Sequence, residues 1–105
     1  MHRPATLTVA AEEDVAEQAA WIAADDPGAA VRFIDAVAAT IRFAEENPAA
    51  GGRYPVQAAA LRGLRKLLIT GFENWVLFYL EQDDGLLIVR VLHGARDLPA
   101  VLTGQ

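Results

Sequence analysis

Leu86-Leu87-Ile88-Val89-Arg90-Val91-Leu92-His93-Gly94-Ala95-Arg96-Asp97 is an almost wholly apolar run that ends abruptly in His, Gly, Arg and Asp. Bounded by Asp84-Gly85 before it and by Gly94 after it, the run fits a central strand buried on both faces. Arg90 is the single charge inside it and needs a partner, for which a carboxylate from the first half of the chain is expected. The polar residues behind the strand form a short tip, followed by Leu98-Pro99-Ala100-Val101-Leu102, an apolar tail that must either dock on the domain or meet a partner.

Working backwards, the period stays strand-like. Strands are expected at about Leu64–Thr70, Trp75–Glu81 and Leu86–His93, the last two joined by the hairpin signal Asp83-Asp84-Gly85. Residues 48–60, with two Pro and two Gly, read as a loop. Before the loop the period becomes helical. Ala30, Ile34, Val37, Ile41 and Ala44 recur on one face, widened by Phe33 and Phe43, from Asp26-Pro27 to Asn47-Pro48. An earlier helix carries Val15, Ala19, Ile22 and Ala23, with Glu12, Glu13 and Asp14 suited to its positive end. Thr6-Leu7-Thr8-Val9 alternates as a short first strand. The order β-α-α-β-β-β predicts an α+β domain with a helical hairpin on one face of a mostly antiparallel sheet. Trp75, Leu77 and Tyr79 then point to one face and Val76, Phe78 and Leu80 to the other. Two helices cover one face only, so the second face reads as a partner groove.

With 105 residues the chain has room for one domain, residues 1–105. Cysteine is absent and His2 and His93 are the only imidazoles, so neither a disulfide framework nor a thiolate metal site is available, and a chain free of metal and cofactor is expected. No apolar run reaches the ~20 residues of a membrane span and the N-terminus lacks a signal-peptide pattern, which predicts a cytoplasmic protein with no membrane association. Net charge is −5, with three Arg against nine Asp/Glu in residues 1–50 and six Arg/Lys against five Asp/Glu thereafter. An acidic chain attracts phosphate poorly, so direct nucleic-acid binding is not expected, and any basic contact has to be local. An apolar content of 53% suggests that part of the surface is covered by something else.

Four stretches together resemble the ParE/RelE superfamily of bacterial toxins, nearer the ParE branch. They are Asp14-Val15 with Trp21-Ile22-Ala23 and Asp26-Pro27-Gly28-Ala29-Ala30; Asn47-Pro48 with Gly52-Arg53; Leu61-Arg62; and Phe72-Glu73-Asn74-Trp75-Val76-Leu77-Phe78-Tyr79 leading to Arg90-Val91-Leu92-His93-Gly94-Ala95-Arg96-Asp97. The closing run is the most specific. The resemblance implies the toxin of a type II, plasmid-stabilisation-type toxin–antitoxin system, held in a heteromeric complex by a ParD-like antitoxin. In the ParE branch the implied target is DNA gyrase, inhibited by binding. In the RelE branch it is messenger RNA, cut on the ribosome. A third reading is a non-toxic binding module that survives in an autoregulatory toxin–antitoxin complex.

Ribonuclease chemistry needs groups to activate the ribose 2′-hydroxyl, neutralise developing charge and protonate the leaving oxygen. Lys66 is the only lysine, and Trp75, Val76 and Leu77 stand where the ribonuclease members place an arginine, so no catalytic residue is assigned. Arg53, Arg62, Arg65, Lys66, His93 and Arg96 are the candidates for target binding. Five have a bland alternative: a solvated strand edge for Arg62, Arg65 and Lys66, a structural hydrogen bond for His93, an internal ion pair with Asp97 for Arg96, while Arg53 lies in the loop, where contacts to a partner are common. Trp21, Trp75 and Phe78 are the candidate antitoxin anchors, with core filling as the alternative. Trp21 falls off its helix's main stripe and either caps the hairpin or forms an interface.

Overall fold

A computed structural model describes residues 3–104. Ala5–Leu7 (β1) leads into helix α1 (Val9–Asp25), and α2 (Pro27–Glu46) returns antiparallel to it. Strands β2 (Gly52–Arg53), β3 (Arg65–Ile69), β4 (Phe72–Gln82) and β5 (Gly85–His93) follow, and the chain closes with helix α3 (Leu98–Thr103). The sheet has the order β1-β5-β4-β3-β2, with β1 parallel to β5 and the other pairings antiparallel. The architecture is the expected α+β hairpin-on-sheet arrangement, and the strong run 86–93 sits between β1 and β4 as an interior strand.

Local chemistry explains the boundaries. Thr8 ends the first strand rather than continuing it, because its hydroxyl accepts the Ala11 N–H at 3.0 Å as the cap of α1. The same hydroxyl donates to the Val89 carbonyl at 2.8 Å, tying the helix start to β5. α1 therefore begins at Val9, one turn before the acidic triplet. Asp26 caps α2 through the Ala29 N–H at 3.0 Å, with Pro27 in the first turn, where its missing N–H is harmless. Gly85 opens β5 beside the N-terminal segment: Leu86 N–H donates to Pro4 O at 2.8 Å, and a Cβ on Gly85 would collide with that same oxygen.

One core lies between the helices and the sheet, built around Phe33, Val37, Ile69, Trp75, Leu77, Tyr79, Ile88 and Val91. Here the expected stripe of α2 needs correction: the buried face is Ala30, Phe33, Val37, Thr40 and Ala44, while Ile34 and Phe43 are exposed. Phe33 fills the space that Ile34 was expected to take, meeting Phe72 and Trp75 edge to face with centroids 5.4 Å apart in each case.

The second face of the sheet also departs from expectation. It is not an open groove. Leu64, Val76, Phe78, Leu80 and Leu92 form a second core, covered by Tyr54, Val56 and Leu61 from the loop and by Leu98, Val101 and Leu102 of α3. The tail docks on its own domain, and α3 is the third helix that the sequence did not reveal. The loop is also more ordered than its composition suggested, since β2 pairs with β3 and Ala59–Leu61 makes one 3-10 turn.

Candidate functional site

The site sits where α1 meets the end of β5. Its support is an ion pair that crosses most of the chain. Asp14, 4% exposed, accepts from Arg90 Nε at 2.7 Å and Nη2 at 2.8 Å and from the Val91 N–H at 3.0 Å. The bidentate bond raises the Arg90 pKa against the opposing pull of desolvation, with Glu17 and Glu13 adding to the rise. A register shift makes this possible: Phe78 pairs with Arg90 and Tyr79 with Ile88, so Val89 has no partner in β4 and packs on the second core. Asp14 is thus a buried partner of β5, unlike the neighbouring Glu12 and Glu13, which are exposed near the helix start.

Above this anchor, Trp75 pairs in register with His93. Their rings meet edge to face at 4.8 Å, and Trp75 also lies 6.5 Å from Trp21 of α1. The Trp75 indole N–H donates to Gln18 Oε1 at 2.9 Å, which holds the ring to α1. Glu17, Gln18 and Trp21 on one side and His93, Ala95 and Arg96 on the other line an open groove of about 560 Å³. Trp21 is 67% exposed along it. Among the alternatives for this residue, the hairpin cap is excluded: it packs toward Trp75, and Asp26 caps the turn.

At the tip, the Ala95 N–H donates to His93 Nδ1 at 3.0 Å and the Arg96 N–H to His93 O at 3.1 Å. With Nδ1 accepting, the neutral ring carries its proton on Nε2. Asp97 does not pair with Arg96; its carboxylate accepts from Ala100 N–H at 3.4 Å and caps α3. Among the described residues Arg96 has no ion-pair partner, so the internal pair is ruled out as its role.

The remaining candidates lie elsewhere. Arg53 and Arg65 face each other across β2 and β3, with Lys66 on the opposite side of the sheet. Arg65 is engaged, bonding Glu81 at 3.1 Å and the Gly51 carbonyl at 2.7 Å. Lys66 Nζ stands 5.5 Å above the Tyr54 ring. Arg62 follows the 3-10 turn and lines a separate cleft with Pro55 to Gly63. The basic cluster seen in the sequence is therefore split between two faces. Phe78, read as an antitoxin anchor, is fully buried, with Tyr54 packed on it at 5.1 Å, and presents no surface. Trp75 is also largely buried, which leaves Trp21 as the exposed aromatic of the three.

Glu17 and Gln18 were missed by sequence reasoning. The four-residue step from Glu17 to Trp21 puts both on one helix face, and that was the signal available. Among the described residues no group of His, Cys, Asp and Glu is placed to hold a metal ion, and no helix is long and apolar enough to cross a membrane.

No curated protein matches the chain. A family model does match, described as the ParE toxin of the type II toxin–antitoxin system parDE, over residues 5–98. That span runs from β1 to the first residue of α3 and includes every residue of the Trp21, His93 and Arg96 groove. The chain belongs to the ParE toxin family, and is the toxin of a type II toxin–antitoxin system.

Proposed function

We propose that the protein acts by binding DNA gyrase rather than by cutting RNA, and that a ParD-like antitoxin neutralises it in the cytoplasm. The observation that carries this reading is the engagement of Arg90, Arg65 and Lys66. Arg90 is held by Asp14, Arg65 by Glu81 and backbone carbonyls, and Lys66 lies over Tyr54. His93 has one nitrogen occupied by a local N–H. Cleavage at a ribose 2′-hydroxyl needs a base, an acid and a cation converging on one phosphate. Among the described residues Arg96 is the one cation of the groove, beside His93 and the Glu17 carboxylate, whose charge repels a phosphate, and this suits recognition of a protein surface better than phosphodiester chemistry.

The groove also supports a mode of neutralisation. Trp21, a candidate antitoxin anchor, and His93 and Arg96, candidate target contacts, share its walls. A single antitoxin segment seated against Trp21 covers the target-side residues as well.

Induced expression in bacteria tests the reading. Arrest of DNA replication with a DNA-damage response and intact transcripts is the expected outcome. Rapid transcript cleavage on ribosomes would replace it with the ribonuclease reading, and unimpaired growth despite antitoxin binding would point to the autoregulatory module.

A further inference from the structure

The outer face of α2 carries charges of both signs around a small-residue centre. Val31, Ile34, Asp35, Ala38, Ala39 and Arg42 are all exposed. Val31 is 59% and Ile34 47% exposed, so this face holds branched apolar side chains about half open to solvent. Asp35 and Arg42 stand seven residues apart, two turns along the same side of the helix and about 10 Å from each other. Neither has an ion-pair partner among the described residues.

We infer that α2 is a self-association surface, whose occupant is α2 of a second copy of this chain packed antiparallel to it. A twofold axis between Ala38 and Ala39 places Asp35 of each copy opposite Arg42 of the other, so that one heterogeneous pair is made twice. The alanines at the centre allow the helix axes to approach closely, and Val31 and Ile34 supply the apolar area beside them. α1 does not offer the same match. It contains no lysine or arginine, and its exposed Glu12, Glu13 and Glu17 repel their own copies. Of the two helices in this layer, α2 alone is self-complementary.

One pair of crossing helices buries an area at the low end of specific interfaces, below about 1,200 Å², so the dimer is weak and transient. It involves neither the groove nor the gyrase reading, and stands or falls separately from them.

Sedimentation equilibrium on the free full chain at low salt, over a concentration series, tests it. The wild type should pass from monomer to dimer as concentration rises. Arg42→Asp sets carboxylate against carboxylate twice and should weaken the dimer by at least about tenfold, as should Asp35→Arg. The exchanged double variant Asp35→Arg/Arg42→Asp should regain wild-type association. Circular dichroism and the unfolding midpoint, unchanged in these surface variants, show that each is folded. A chain that stays monomeric throughout, a dimer indifferent to either single reversal, or a double variant that fails to recover would each overturn the assignment.

Discussion

Asp14 and Arg90 show how a buried charge pair can be half legible. The need for a carboxylate followed from Arg90 standing alone in an apolar strand, but its identity did not, because the partners are 76 residues apart and Asp14 sits beside two other acids that also suit a helix start. Asp14→Ala leaves Arg90 and the Val91 N–H without their acceptor, and urea unfolding should show a loss of about 3–5 kcal/mol. Restoring much of that loss by adding Arg90→Met would confirm that the unpaired charge is the cause. Tyr79 is a second residue whose role the strand pattern concealed. Its alternation marked it as core, and it is; yet its hydroxyl donates to Pro48 O at 2.7 Å and accepts from Gly51 N–H at 2.9 Å, pinning the loop after α2 to the sheet. Burial raises its pKa above 10.0, against the lowering effect of the Gly51 N–H and Arg65 and with a smaller rise from Glu81. The neutral phenol is thus favoured in the folded state, so this contribution is fully present below pH 10, where the unfolded chain ionises first, and is lost as pH rises from there through the higher folded-state pKa. Tyr79→Phe should cost roughly 1–3 kcal/mol at neutral pH and flatten the alkaline fall in stability; an identical alkaline profile in both proteins would show that Tyr79 is not its source.

Elements with a long, clear period were the ones the sequence disclosed. The helical hairpin and the three long strands fall within a few residues of their expected spans, because hydrophobic spacing, Asp26-Pro27 and Asp84-Gly85 all agree on them. What stayed hidden was short or ambiguous in phase. β2 is two exposed residues, and α3 is six residues beginning Leu98-Pro99, too brief to display a helical repeat. In α2 the adjacent Phe33 and Ile34 allow two phases of the same stripe, and only packing against Phe72 and Trp75 selects Phe33. The groove was legible as single residues but not as a group, since nothing in the sequence brings Trp21 to His93. α3 has the largest consequence for an expectation, because it converts the second sheet face from a groove into a core. Ending the chain after Asp97 removes Leu98, Val101 and Leu102 from Phe78 and Leu92 and should increase binding of a hydrophobic dye while lowering the unfolding midpoint. Equal dye binding by the full-length and shortened chains would mean that the loop residues Tyr54, Val56 and Leu61 cover this face unaided.

Across the whole molecule, the contacts that close the fold join its two ends. β1 lies parallel to β5, with Ala5 opposite Leu86 and Leu7 opposite Ile88, and Thr8 and Asp14 both reach β5. Arg3 adds a bond to the Gln82 carbonyl, and the groove itself takes one wall from α1 and the other from the strand end. Such long-range pairing forms late, because loop closure has to precede the contacts that reward it. A ribosome that has translated only α1 and α2 has made a helical hairpin whose buried carboxylate has no arginine and whose first strand has no neighbour. Completion of this domain therefore waits on β5 and the turn after it: residues 85–93 must be synthesised before the sheet can close, and His93 and Arg96 before the groove exists. Timing of synthesis is in this way written into the topology, and a chain stopped short of β5 has neither a closed sheet nor the groove.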